Sequence, residues 1–336
     1  MPWFAIASLT PAAMIALACL RGGAFSVAAL ASMTALALLM DRLNRVLPPS
    51  EGSGRALSVL LALLHFPLLA LTVWALGAGP LGLADKAAIY VAAGLYLGQV
   101  SNANAHELIH ARSRLPRRLG AAVYISLLHG HHVSAHLKVH HVHAATDRDP
   151  NSAAAGTGFW AYAPRAAVGE FRAGLHAEAA HRARARRPRS RLSHPYLAYV
   201  GGALGGLIAA FALAGLGGVI ALLALAAYAQ LQLFLSDYVQ HYGLRRAIGP
   251  DGRAEPVGPQ HSWNAPQWYS SAMMLNAPRH SDHHMRPDRA YPALEVTPDS
   301  MPMLPRALPV MATLALCPPL WRRVMDRRVA RWRDAA

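Results

Sequence analysis

Apolar residues in this chain fall into long blocks joined by short turns, then by two long polar stretches. Six blocks approach the roughly 20 residues that a helix needs to cross a bilayer core. They lie at about 3–20, 24–40, 57–78, 84–100, 196–215 and 217–236. The first two read as one tight hairpin turning at Arg21, Gly22 and Gly23. A further apolar run at 307–321 is interrupted by Pro309, Pro318 and Pro319, so it is expected to be buried or interfacial rather than spanning. The layout is two hairpins, a polar insertion, a third hairpin and a polar tail, with no internal repeat.

Within the polar parts, the fourth block continues without a Pro or Gly break through Asn104 to His110, and Pro116 ends that stretch. Residues 119–143 again read as helix, with His136 and His140 on one face, until Thr146–Pro150 breaks it. Residues 160–187 predict a basic, partly amphipathic helix near the membrane surface. The sixth block runs on to His241 and stops at Gly243, a natural helix C-terminus.

Composition supports a membrane protein. Hydrophobic residues make up 54% and charged residues 15%, against about 25% charged in an ordinary globular chain. No Lys or Arg precedes the first block, so it lacks the basic region of a cleaved signal peptide. The formal charge of +15 is a topology signal. With the N-terminus inside, 41–56, 101–195 and 237–336 face the cytoplasm, and of the 32 basic residues only Arg21 and Lys86 fall at outer ends. No nucleic-acid role is expected. Cys19 and Cys317 lie in separate apolar segments without a CxxC, which supports neither a disulfide framework nor a cysteine-held metal.

The chemistry lies in nine of the eighteen histidines: His106 and His110; His136, His140 and His141; His241; and His280, His283 and His284. Imidazole is the commonest protein ligand for transition metals, and i,i+4 or i,i+3 spacing stacks side chains on one helix face. Alone, His106-Glu107-x-x-His110 is compatible with a zinc protease, but zinc uses only three or four ligands. His241 by pattern alone is more often a helix-end hydrogen-bonding group. His65 is expected to pack or hydrogen-bond inside the bundle, His176, His181 and His194 to be surface or interfacial, and His261 sits beside a loop. His129, His131, His132 and His143 are candidates to orient ligands. Nine neutral ligands, at five or fewer per ion, suggest two metals, and a nitrogen-rich redox site at a bilayer suits iron activating dioxygen on an oily C–H bond. The bilayer would supply that substrate by partition.

These residues resemble the integral-membrane alkane 1-monooxygenases of the fatty-acid desaturase/hydroxylase superfamily over roughly 57–333. The family's HE(L/M)xHK is similar to His106–Ala111, its EHxxGHH to Ala135–His141, its NYxEHYGL to Asp237–Leu244, and its LQRHSDHH to Ala277–His284. Ala145–Pro150 and Pro318–Met325 also resemble family segments. The resemblance implies an all-α, six-helix membrane bundle with a cytosolic cap, residues 1–336 forming one catalytic domain in a bacterial inner membrane. It implies nine histidines holding two irons, dioxygen as co-substrate, electrons from rubredoxin and its NAD(P)H-dependent reductase, and a primary alcohol as product. It also makes His241 a ligand.

Ala111, Ala135, Val139, Asp237, Gln240, Ala277 and Pro278 depart from the family's usual residues, which puts the tuning of the site and a linear-alkane substrate in question. Hydroxylation of aromatic methyl groups and fatty-acyl desaturation are the alternatives on the same iron site; a metal-transport role would want ionisable residues deep in the spans. Asp149 and Asp282 are candidates to accept hydrogen bonds from ligand imidazoles, or else to cap helices, and Glu107 to do the same or bridge. The basic stretch Arg182–Arg187 is expected to meet anionic lipid heads or to dock an acidic electron carrier.

Overall fold

Pro2 opens α1 (Pro2–Arg21), where its missing N–H leaves no helical bond unmade. Gly22 and Gly23 then take φ of 64° and 56°, the left-handed region that glycine enters without a Cβ clash. The chain reverses there into α2 (Ala24–Met33), and the Gly23 N–H donates to Asp85 Oδ1 at 2.7 Å. Thr34 interrupts this second block before α3 (Ala35–Asp41). A computed structural model describes residues 1–43, 45–185 and 190–335, the side chains of 333–335 excepted. Among the described residues every regular element is helical, with isolated β-bridges only.

The third block is α4 (Arg55–Gly77). The fourth is α5 (Leu83–Tyr96), which runs through a π turn, Leu97–Ser101, directly into α6 (Asn102–Ile109). The fifth and sixth blocks form α11 (Pro195–His241), which folds back on itself at Ala214 and Gly215, where φ and ψ leave the helical region. A Cβ on Gly218 would meet the Ala210 carbonyl at 2.2 Å, and one on Gly206 would reach Leu222 at 3.9 Å. In a straight helix Gly206 and Leu222 would stand about 24 Å apart. Glycine also lets helices touch: a Cβ on Gly217 would lie 2.4 Å from the Gly77 carbonyl oxygen, the small-residue contact common between membrane helices.

By length and composition, Pro2–Arg21, Ala24–Asp41, Arg55–Gly77 and Pro195–His241 are apolar enough to cross a membrane. Ile15, Ala29, Leu69, Ile89 and Leu225 belong to the core between them. Leu63, Leu204, Ile208, Phe211 and Ile220 are exposed on the outside; an exposed apolar surface of this kind marks a lipid-facing side.

The polar parts depart from the sequence expectation in three places. Residues 119–143 are not one helix: α7 (Arg114–Ser126) ends before a turn in which Leu128 takes φ 57°. The chain restarts as α8 (His132–Ala135), passes through a second π turn, His136–His140, and ends as α9 (His141–His143). Pro116 does not end the preceding stretch either. α6 stops at Ile109, and Pro116 sits in the first turn of α7, where proline costs no hydrogen bond. The basic helix is α10 (Phe159–Ala183), and its inner face is not simply amphipathic, since it buries Glu170 and Glu178. Arg186 and Arg187 lie outside the described residues.

The tail supplies α12 (Trp268–Met273), α13 (His280–Met285), α14 (Leu308–Ala315) and α15 (Pro318–Ala335). Asp41 Oδ1 accepts the N–H groups of Tyr269 and Ser270 at 3.0 and 3.1 Å, capping α12 and tying the tail to the first hairpin. The apolar run expected to be buried or interfacial becomes α14 and the start of α15, where Trp321 is fully buried against Tyr238 and Tyr242.

Candidate metal centre

Four pieces of chain bring the nine imidazoles to one end of the bundle. α6 carries His106 and His110, the second π turn and α9 carry His136, His140 and His141, the C-terminus of α11 carries His241, and α13 carries His280, His283 and His284. They form two groups that cut across the sequence groups. His106, His110, His136, His141 and His283 make one; His140, His241, His280 and His284 make the other.

In the first group the Nε2 atoms of His110, His136 and His141 lie 2.9–3.1 Å from one another, and His283 Nε2 is 3.2 Å from that of His141. His106 closes the group, its ring 4.3 Å from His283 and 4.5 Å from His136 between centroids. In the second, His280 Nε2 lies 3.0 Å from both His241 Nε2 and His284 Nε2. His140 stands over it, 4.7 Å from the His241 ring. The His141 and His284 rings, 4.7 Å apart, adjoin across the two groups.

A metal ion fits this donor set. Each imidazole nitrogen carries one proton or one lone pair, so three nitrogens in mutual contact cannot all make linear hydrogen bonds with one another. A cation among them satisfies every lone pair. His140 Nε2 is buried without a hydrogen-bond partner in the second group. The protonation states agree. Burial, then neighbouring imidazoles, push His106, His136, His141, His283 and His284 well below the ordinary histidine range. The same causes bring His110 down to about 4 and His280 to about 3. Neutral imidazole is the ligating form. His140 is the exception. Burial lowers it, but the charge and hydrogen bond of Asp149, helped by Asp237 and Glu170, outweigh burial and push it up to about 9.

Asp149 Oδ2 receives His140 Nδ1 at 2.9 Å and the Ser152 hydroxyl at 2.6 Å. That leaves His140 Nε2 turned to the second group. Asp282, on α13, accepts from Arg286 at 3.2 Å, Arg289 at 2.8 Å and the Glu295 N–H at 3.0 Å. Glu107 is half-buried on α6; desolvation raises its carboxyl to about 7 against a weak bond from the Tyr291 N–H. It lines a polar cleft with His110, Arg112, Asp288 and Arg289.

Other partners were not legible in sequence. Arg279 is fully buried and donates to the Leu294 carbonyl at 2.6 Å and to the Leu47 carbonyl, holding the N-terminus of α13. Its signal was only that a charged residue stands directly before three ligand-type histidines. Glu170, far away in sequence, meets His129 and His132. Ala135, which lacks a carboxylate beside His136, faces α10: a Cβ on Gly174 would lie 3.1 Å from the Ala135 Cβ. His65 bridges Ser101 and Ser126 at 3.0 and 2.8 Å, away from both groups.

A cleft is lined by His106, His136 and His280. Gly98, Ala103, Leu233, Met274, Leu308 and Ala312 form its apolar wall, and Gln99, Asn102, Gln232 and Asp237 interrupt it.

Comparison with known proteins places this geometry. Residues 84–314 match the fatty acid desaturase family. The chain is 30% identical over 278 residues to an alkane 1-monooxygenase of Alcanivorax borkumensis, covering 83% of this chain and 68% of the relative. It is 32% identical over 286 residues to one from Pseudomonas aeruginosa, covering 82% and 73%. A xylene/toluene monooxygenase hydroxylase component of Pseudomonas putida is 27% identical over 221 residues, covering 64% and 57%. With its all-helical fold, apolar spans and two histidine groups, the chain belongs to the fatty acid desaturase family and is a membrane oxidoreductase similar to the alkane 1-monooxygenases.

Proposed function

We propose that this protein is a non-haem di-iron monooxygenase that converts a terminal C–H of a medium-chain alkane or similar oily molecule to a primary alcohol. The balanced reaction takes one substrate, one dioxygen, two electrons and two protons to the alcohol and one water. The observation that carries this reading is the largely apolar cleft whose lining includes His106, His136 and His280, members of both histidine groups.

One iron would be held by His106, His110, His136, His141 and His283, the other by His140, His241, His280 and His284. Bound iron supplies dioxygen activation and the oxidising power for the C–H bond. The chain's own groups do the rest. Leu233, Met274, Leu308 and Ala312 desolvate the substrate and align its chain toward the histidines. Asp149 fixes the His140 ring and raises its basicity through Nδ1. Glu107, with its carboxyl near 7 and on the wall of the polar cleft, can both take up and release a proton near neutral pH beside His110. Asp282 keeps α13 in place through Arg286 and Arg289.

The electrons come from an external carrier, proposed to be rubredoxin with its NAD(P)H-dependent reductase. Six spans in a bacterial inner membrane, with the histidine end toward the cytoplasm, agree with the basic residues concentrated on that side. Hydroxylation of aromatic methyl groups is the second reading, favoured by the polar interruptions Gln99 and Gln232 in the cleft wall.

Product analysis tests all of these. Iron-loaded membranes with reduced rubredoxin, labelled dioxygen, medium-chain alkanes, xylene and a fatty acyl chain should yield labelled primary alcohol. Labelled benzylic alcohol would select the second reading, and an unlabelled alkene would overturn hydroxylation in favour of desaturation.

A further inference from the structure

A third convergence of ligand-type side chains lies outside the two groups. His129 and His131, in the turn before α8, and Glu170, from the inner face of α10, bring their donor atoms within 4.8 Å of one another. His129 and Glu170 are buried at 2% and 1% exposure, and His131 is partly open. His129 Nε2 is 3.1 Å and His131 Nε2 3.6 Å from one oxygen, Glu170 Oε1. The same oxygen takes His132 Nδ1 at 3.0 Å. The other oxygen, Oε2, accepts the Asn151 amide at 3.0 Å, and that amide also donates to Asp237 Oδ2 at 2.7 Å.

Hydrogen bonds alone do not account for this arrangement. His132 forms one to Oε1, whereas the buried His129 Nε2 approaches the same oxygen at 3.1 Å off the line of a well-aligned hydrogen bond. The His131 distance is beyond hydrogen-bond reach. Donors 2.0–2.2 Å from a tetrahedral ion stand roughly 3.4 Å apart, and the 3.1 and 3.6 Å separations straddle that edge. The His129 and His131 rings lie 4.6 Å apart between centroids, as do His110 and His141 in the first histidine group. Two buried carboxylates, Glu170 and Asp237, share one amide donor, and buried charge is stable only when paired or metal-bound.

We propose that His129 Nε2, His131 Nε2 and Glu170 Oε1 bind a third divalent transition-metal ion, Zn2+ or Fe2+. His132 fixes the carboxylate from outside, as outer hydrogen bonds do at metal sites. Two imidazoles and one carboxylate with an open position are a donor set for either metal. The ion fastens the turn ahead of His136 to α10, and the partly exposed side of His131 is its way in.

The test is metal analysis of the purified full-length protein, with His131→Ala and Glu170→Gln beside His141→Ala. Wild type should carry one ion per chain more than either His131→Ala or Glu170→Gln, whose iron at the nine-histidine groups is retained. His141→Ala should instead lose iron and keep the third ion. Equal metal content in wild type and His131→Ala overturns the third site, whatever the iron count. A wild type lacking iron but still losing one ion on His131→Ala would overturn the di-iron reading and leave this one standing. If both variants misfold, a cryo-EM map of the wild type decides: a peak among the three donor atoms supports the site, and its absence overturns it.

Discussion

His136 and His141 are five residues apart, yet their Nε2 atoms meet at 2.9 Å. In an α-helix five residues end about 140° past a full turn, which would point the two rings apart. The π turn at His136–His140 closes that angle, and π turns are frequent at functional sites. The same turn sends His140 to the other group, 4.7 Å from the His241 ring. Neighbouring residues in sequence thus fall in different histidine groups.

That split has a direct consequence. His141→Ala and His140→Ala should each reduce iron toward one per chain, and both should abolish turnover. Iron analysis of the two purified variants checks it; full iron in either would refute the assignment of ligands.

Asp149→Ala removes the acceptor at His140 Nδ1. Iron affinity or activity should fall by about 10- to 100-fold, with the fold intact by circular dichroism. An iron titration with wild-type affinity would mean that Asp149 serves only its turn with Ser152 and Asn151.

Ala312→Phe fills part of the apolar wall of the cleft. Turnover of the longer alkanes should drop on the order of tenfold or more relative to short ones, since a methylene in an apolar pocket is worth about 10- to 200-fold. Parallel loss across chain lengths would place the substrate elsewhere.

Acid should unfold the metal-free protein early. The folded state holds His110 at about 4 and His280 at about 3, below the ordinary 6.5. Their contribution is complete above pH 6.5 and is lost as pH falls toward those values, because the unfolded chain takes up protons first. His140, raised to about 9, has the opposite sign: it stabilises below 6.5 and stops as pH rises through 9. Thermal melts of metal-free protein should therefore drop steeply from pH 6.5 to 4. A flat profile there would mean that the imidazoles are not buried as a neutral set.

Arg279→Ala leaves the carbonyls of Leu47 and Leu294 without their donor. Each unsatisfied buried group costs about 1–3 kcal/mol, and α13 loses its anchor. The melting temperature and bound iron should fall together; an unchanged melting temperature would show that water replaces the guanidinium.

The sequence by itself determined the apolar helices, the basic asymmetry and the identity of the histidines. Those features are written in composition and in spacing along one helix, which local backbone geometry fixes. His106 and His110 on one face of α6 were legible for that reason. The tertiary structure decided what spacing leaves open. It broke 119–143 at Leu128, inserted a π turn, and so divided His136, His140 and His141 between two groups. It also brought Glu170 of α10 to His129 and His132, and Arg279 to the carbonyl of Leu47. Such partners come together only when separate helices pack. A periodic pattern carries the face a side chain occupies on its own helix, and never the residue that a distant helix sets opposite it.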